Sequence, residues 1–108
     1  MIIIIFVYYN QQIGGSMNDL FMELETPGDV RRKVGELIKL MRNSRKISQQ
    51  ELAKNLNLNR QTIQKIESGK NFNIDTLLLI FKHFELLETF ADFIKDQGTN
   101  FDEIDSLY

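Results

Sequence analysis

The chain has 108 residues, and 43% of them are apolar, so it is long enough to build one small hydrophobic core. It contains no cysteine, which excludes disulfide bridges and thiolate metal sites, and it has only one histidine, His83. The net charge of −2 by itself argues against a nucleic-acid partner, but the charges are unevenly distributed.

The middle of the chain is strongly basic. Residues 31–70 contain 11 lysines and arginines against 3 acidic side chains, a balance of +8, and the rest of the chain carries −10. A basic segment between acidic flanks is typical of a surface that binds a polyanion. An ordinary solvated helical surface would show the same counts, so charge alone leaves both interpretations open.

Residues 1–9 are almost wholly apolar. This run is shorter than the about 20 residues that a membrane-spanning helix needs, and it lacks the basic start of a secretory signal. One interpretation is a β-strand that pairs with a partner chain. We favour a translated leader over residues 1–16, with Met17 as the start, because the codons of the two preceding glycines can spell a ribosome-binding site. N-terminal sequencing of the native protein tests this; residues 1–25 are interpreted as an N-terminal extension.

A first helix is predicted from Pro27 to about Ser44. Thr26 is placed as its N-cap, proline takes the first helical position, and Asp29 supplies a carboxylate three residues after the cap. Apolar residues then recur at spacings of three and four, which predicts one buried stripe. The stripe consists of Val30, Val34, Leu37, Ile38 and Met41.

Two short helices follow. Ser48 and Glu51 have the spacing of a capping box at the start of the second helix. Asn57 ends it, because asparagine tolerates the left-handed conformation almost as well as glycine. Asn59 is predicted to cap a third helix, which ends at a left-handed Gly69. The side chains predicted to be buried here are Leu52, Ala53, Leu56, Leu58, Ile63 and Ile66.

Two more helices complete the prediction. Asn73 or Asp75 starts the fourth, and the fifth runs from about Leu86 to Asp96, with Gln97-Gly98-Thr99 as a stop. Residues 98–108 form an acidic tail with the spacing of one more helical turn. The predicted fold is therefore all-α, with five helices in a domain over residues 26–97. Its last two helices supply the apolar residues Leu77, Leu78, Ile80, Phe81, Phe84, Leu87, Phe90, Phe93 and Ile94.

The second and third helices are predicted to cross steeply and to leave polar side chains exposed. A steep crossing of two such helices needs a small residue at the contact, and Ala53 is there. The exposed residues on the first half of the third helix are then long polar ones. Arginine and lysine pair with guanine in the major groove, and glutamine pairs with adenine. The residues concerned are Arg60, Gln61, Gln64 and Lys65.

The stretch from Ser48 to Lys70 resembles the Xre/Cro class of helix-turn-helix regulators, of the phage-repressor type, and the resemblance extends from about Pro27 to Leu87. Asn57 departs from it, since the family usually has glycine there, but the change is conformationally mild. The resemblance implies a lambda-repressor-like domain of five helices that binds double-stranded DNA with the third helix in the major groove.

The resemblance also implies roles for individual residues. Arg60, Gln61 and Lys65 match base-reading positions, and Gln64 is a weaker candidate. Gln49 resembles a glutamine that contacts phosphate and braces the recognition helix. Other phosphate-contacting positions are matched by Asn59, Thr62, Lys70 and Asn71.

Two further sets of side chains each have two possible roles. Arg42 and Glu67 match a salt bridge between the first and third helices, although Arg42 could instead contact phosphate. Cations at the start of the first helix are disfavoured by its dipole, so they either reach for phosphate or lie on a solvated face. They are Arg31, Arg32 and Lys33.

The aromatic stripe of the last two helices is richer than a small core needs. Its simplest interpretation is core. The sharper one is a twofold homodimer interface formed by Leu87, Phe90 and Ile94, since domains of this class bind two half-sites about 34 Å apart.

The expected function is that of a prokaryotic, sequence-specific transcriptional regulator, chiefly a repressor, which acts in the cytoplasm on the nucleoid. Thr26-Pro27 and Leu86-Leu87 also resemble HipB-type antitoxins, which bind DNA and a toxin partner. A third alternative is an interaction module that no longer binds DNA. We expect no enzymatic activity, cofactor, metal or membrane partner, because no nucleophile–base pair or metal-ligand spacing occurs.

Overall fold

A computed structural model describes residues 25–106, with side chains as far as residue 103. The chain divides into two compact units, residues 1–30 and residues 31–108. The described residues form five α-helices and no strand, so the all-α prediction is confirmed. The helices are α1 (Pro27–Ser44), α2 (Gln49–Asn55), α3 (Arg60–Glu67), α4 (Ile74–His83) and α5 (Leu87–Ser106). The leader and strand interpretations of the N-terminal extension lie outside the described residues.

The start of α1 is closed by a reciprocal pair of hydrogen bonds. The backbone N–H of Asp29 donates to Oγ1 of Thr26 at 3.1 Å, and the N–H of Thr26 donates to the Asp29 carboxylate at 3.0 Å. Each bond satisfies a donor that the first turn of a helix leaves unpaired. The helix then runs to Ser44 as predicted, and Lys46 turns the chain with a φ of 58°.

The caps of the shorter helices follow the sequence signals in part, and at α2 only the Ser48 half of the predicted capping box is formed. The Ser48 hydroxyl accepts the N–H of Glu51 at 3.0 Å, and the Asn73 side chain accepts the N–H of Asp75 at 2.7 Å, so Asn73 is the cap of α4. Asn59 occupies the N-cap position of α3, but its side chain makes no capping hydrogen bond, so that part of the prediction is wrong.

The turns that separate α2, α3 and α4 depend on left-handed residues. Asn57 has a φ of 58° and Gly69 a φ of 80°, both as predicted. The N–H of Leu58 donates to the carbonyl of Ala53 at 2.8 Å, which closes the turn after α2. Glu85, with a φ of 63°, makes a similar turn between α4 and α5 that the sequence did not reveal.

The core is formed where α1 to α4 meet. Val30 and Leu37, predicted to be buried, are 48% and 39% exposed, so only part of the α1 stripe faces inward. Gly35 is buried instead, and it lies so close to α3 that a Cβ at this position would overlap the carbonyl oxygen of Ile66. The buried residues are Ile38, Leu52, Ala53, Ile63, Ile66, Leu77, Ile80, Phe81 and Phe84.

Helix α5 is longer than predicted. It continues through Gly98 to Ser106, so the predicted stop at Gln97-Gly98-Thr99 is wrong. Gly98 does not adopt a left-handed conformation, and a glycine inside a helix costs only about 1 kcal/mol relative to alanine. The predicted boundary at residue 97 therefore falls inside a helix. Within residues 25–106, no helix combines the length and apolar character that crossing a membrane requires.

Candidate nucleic-acid interface

The rotation of α3 about its axis is set by two buried side chains. Ile63 and Ile66 are fully buried in the core. Since successive residues of a helix are about 100° apart, the side of α3 opposite these isoleucines faces solvent. The four side chains predicted to read bases, Arg60, Gln61, Gln64 and Lys65, are all exposed. Their contact with DNA stays a prediction, but the fold leaves them accessible.

Residues of α3 and of the loop after it line an open depression. Its lining residues are Gln61, Gln64, Lys65, Ser68 and Lys70. The lining therefore combines two amides, a hydroxyl and two ammonium groups, all able to donate hydrogen bonds to base edges or phosphate oxygens.

An ion pair ties α1 to the end of α3. Nε of Arg42 donates to Oε2 of Glu67 at 2.8 Å and Nη2 donates to Oε1 at 2.9 Å, a two-point arrangement. The two side chains are only 12% and 4% exposed. These hydrogen bonds raise the pKa of Arg42 above its ordinary value. Nη1 donates to the carbonyl of Ile47 at 2.9 Å, so all three guanidinium nitrogens donate hydrogen bonds inside the protein.

Gln49 joins the same ion pair. Its Nε2 donates to Oε1 of Glu67 at 3.2 Å, so one carboxylate connects α1, α2 and α3. Gln49 is half-buried at the first position of α2. This is the brace on the recognition helix that the family resemblance implied, whereas the phosphate contact of the same residue stays a prediction.

The other predicted phosphate-contacting residues lie on either side of α3. Asn59, Lys70 and Asn71 are exposed, and Thr62 is half-buried. Because the Asn59 side chain makes no capping hydrogen bond, its amide is not used by the start of α3. The structure therefore gives these residues the access that a phosphate contact requires at both ends of the helix.

The loop after α3 is held by a residue that sequence reasoning did not single out for this role. Nε of Arg31, near the start of α1, donates to the carbonyl of Gly69 at 3.0 Å. The two residues are 38 positions apart, and no local pattern connects them. Arg31 is half-buried against this loop, so it does not lie on a fully solvated face, and its phosphate contact stays a prediction.

The predicted dimer residues lie on the first half of α5. Leu87 and Phe90 are half-buried, and the Phe90 ring meets Phe81 edge-on with centroids 5.7 Å apart. Ile94 is 55% exposed and its neighbour Phe93 is 58% exposed. Leu87 and Phe90 thus contribute to the monomer, while the apolar surface beyond them is uncovered.

Two observations concern side chains with other chemistry. His83 is half-buried with its ring against Phe84. Within residues 25–106, no group of three histidine, aspartate or glutamate side chains is arranged to hold a metal ion.

Comparison with protein families bears on this same region. Residues 38–88, from within α1 to the start of α5, match a family model described as helix-turn-helix. Searches of curated proteins and of solved structures each gave no match. The family match indicates a DNA-binding regulator, and the HipB-type branch stays a prediction. Residues 38–88 are a helix-turn-helix domain of the Xre/Cro-like family.

Proposed function

We propose that this protein is a transcriptional repressor that binds an inverted-repeat operator as a homodimer, with α3 of each copy in the major groove. The proposal rests on how α3 is held against the core and on which side chains it exposes. Its inner side is fixed by Ile63, Ile66 and Glu67, and its outer side presents only polar and basic groups. A rigid helix with an exposed Arg/Gln/Lys surface is suited to reading base edges.

Affinity and sequence choice are divided between different residues in this proposal. Gln49 and Lys70 contact phosphates on either side of the helix and set its position, while Gln61 contacts bases. Because phosphate contacts release counterions, binding weakens as salt concentration rises. Occupancy of the operator then blocks polymerase.

The division of roles is tested by substituting one residue of each kind. Operators are first selected from genomic fragments and mapped by footprinting, beginning with the region upstream of the gene. Gln61→Ala is expected to reduce the preference for operator over mixed-sequence DNA by roughly tenfold, since one good base contact contributes about 1–3 kcal/mol. Gln49→Ala is expected to weaken binding to both DNAs by the same factor. Equal behaviour of the two variants contradicts the division, and the absence of any salt-sensitive binding by the wild type favours the interaction module.

The dimer is supported by the pattern along α5. Leu87, Ile94 and Phe101 recur every seven residues, and Phe90 lies three after the first of them. This is the spacing of a helix that pairs with a second helix along one seam. Ile94 and Phe101 are 55% and 67% exposed, so the second half of the seam is available to a second copy. Two copies joined in this way present two α3 helices to the two half-sites.

The dimer is tested by placing a charge on and off the seam. Ile94→Asp puts a carboxylate in the proposed interface, and Thr99→Asp puts one on the opposite side of the same helix. Sedimentation equilibrium is expected to show a dimer for the wild type and Thr99→Asp, and a monomer for Ile94→Asp. A monomeric wild type, or equal masses for the two variants, contradicts the proposed interface.

A further inference from the structure

We propose that Arg31 is a positioning residue for the DNA contact made by the loop after the recognition helix. The inference deepens the proposed function and rests on it. Arg31 stands 38 residues before Gly69, and its Nε donates to the Gly69 carbonyl at 3.0 Å in a partly buried setting. Lys70 and Asn71, the residues that follow Gly69, are both exposed.

The hydrogen bonds made by the loop backbone itself are local. The N–H groups of Gly69 and Lys70 donate back to the carbonyls of Ile66 and Lys65, each at 3.0 Å, which closes the end of α3. These bonds define where the helix stops. They do not tie the loop to another element, because both acceptors belong to α3 itself. The bond from Arg31, by contrast, connects the loop to α1.

Packing at Gly69 strengthens the same connection. Gly69 has a φ of 80°, and a Cβ at this position would lie 2.8 Å from Cγ of Arg32. Helix α1 therefore lies directly against the loop backbone, next to the arginine that holds it. The direction of Lys70 is then set by α1 as well as by α3. Since a bound phosphate requires a donor held at hydrogen-bond distance, loss of this anchor reduces the contact that Lys70 makes.

The test uses two substitutions that remove the same charge. Glutamine places a neutral N–H at the same distance along the side chain as Nε of arginine, whereas methionine has a similar length and no donor. Arg31→Gln and Arg31→Met are compared in binding to a mixed-sequence DNA duplex, with and without Lys70→Ala. Both variants lose one positive charge, so any difference between them reports the bond to Gly69 and not the overall electrostatic attraction.

We expect Arg31→Met to bind about fivefold more weakly than Arg31→Gln, the fold-change that corresponds to one net hydrogen bond. In the Lys70→Ala background the two variants are expected to bind equally, because the residue that Arg31 positions is gone. Exchange of the Lys70 amide hydrogen, measured without DNA, is expected to be faster in Arg31→Met than in Arg31→Gln.

Other outcomes overturn the inference in distinguishable ways. Equal weakening by Arg31→Gln and Arg31→Met shows that Arg31 acts through its charge, as a phosphate contact. A difference between the variants that persists in the Lys70→Ala background shows a structural role unrelated to this contact. Absence of DNA binding by the wild type overturns the proposed function itself, and the inference with it.

Discussion

The helix-turn-helix segment and α5 place their apolar residues differently. In α2 and α3, the isoleucines and Leu52 are fully buried, and the exposed side is polar and basic. In α5, Phe93, Ile94 and Phe101 are each more than half exposed, on a helix that carries six acidic residues and one lysine. The first region buries its apolar residues in the core and presents charge outward, whereas the second leaves an apolar surface uncovered.

The difference indicates two kinds of surface. An exposed side without apolar residues, in a region with a balance of +8, suits a polyanion that is itself highly hydrated. An exposed apolar side on an acidic helix does not suit DNA and is more typical of a protein–protein contact. We therefore propose that DNA recognition and association of copies use separate parts of the chain, so that a substitution can change one without the other.

The largest expected effect lies in the helix-turn-helix region. Glu67→Ala leaves the buried guanidinium of Arg42 without its partner and removes the acceptor of Gln49, so it is expected to lower the free energy of unfolding by about 3–5 kcal/mol. Glu36→Ala, at an exposed position on α1, is the matched control and is expected to change it by less than about 0.5 kcal/mol. Urea unfolding measures both. Similar values for the two variants would show that the ion pair does not hold the recognition helix.

The next effect concerns the close approach of α1 to α3. Gly35→Ala pushes a methyl group against the backbone carbonyls of Ile66 and Glu67, and backbone atoms of a helix cannot move aside as a flexible side chain can. We expect a loss of roughly 1–3 kcal/mol in the free energy of unfolding. Thermal unfolding tests this, and an unchanged or raised Tm contradicts so close an approach of the two helices.

The same substitution at one isoleucine in each region compares the two regions directly. Ile66→Val removes one methyl group from a fully buried site and is expected to cost about 1 kcal/mol. Ile94→Val makes the same change on α5, where the monomer leaves the side chain 55% exposed. Its cost is therefore expected to be small at low protein concentration and to grow with concentration as copies associate. A cost that does not depend on concentration argues against the dimer.

The smallest expected effect is a gain. Gly98 lies inside α5, and a Cβ added at this position would have no atom within 4 Å, so Gly98→Ala meets no obstacle. Alanine is favoured over glycine in a helix by about 0.5–1 kcal/mol. Circular dichroism is expected to show more helix and unfolding to occur at higher temperature. A loss of helix in this variant would mean that the chain does turn at Gly98.

Helix caps and left-handed turn residues were predictable from the sequence, because they depend on only three or four neighbouring residues. Thr26 with Asp29 and Ser48 with Glu51 form caps over three residues; both reciprocal hydrogen bonds are present at the first, and the bond to the Ser48 hydroxyl at the second. Asn57 and Gly69 are left-handed for the same local reason. The exposure of Gln61 and the other polar residues of α3 follows from the helical period once the isoleucines are known to be inside.

The errors occurred where local signals were weak or tertiary packing took precedence. Glycine often ends a helix, which is why a stop was predicted around Gly98. Inside a helix, however, glycine only lowers helix stability and does not force a turn. Val30 and Leu37 belong to the same predicted stripe as Ile38, but the stripe is broader than the face of α1 that the core covers. They therefore lie outside the covered face and stay exposed. Asn59 has the residue type of a cap, but its position does not produce the bond.

By itself, the sequence determined the helices, their caps and turns, the basic surface and the resemblance to a DNA-binding family, because each depends on neighbours within a few residues or on counts. Only the tertiary structure decided that Gly35 touches Ile66, that Arg31 holds Gly69 and that α5 leaves its apolar residues uncovered. Contacts between residues 31 or 38 positions apart depend on how whole helices pack, and no local period records that packing.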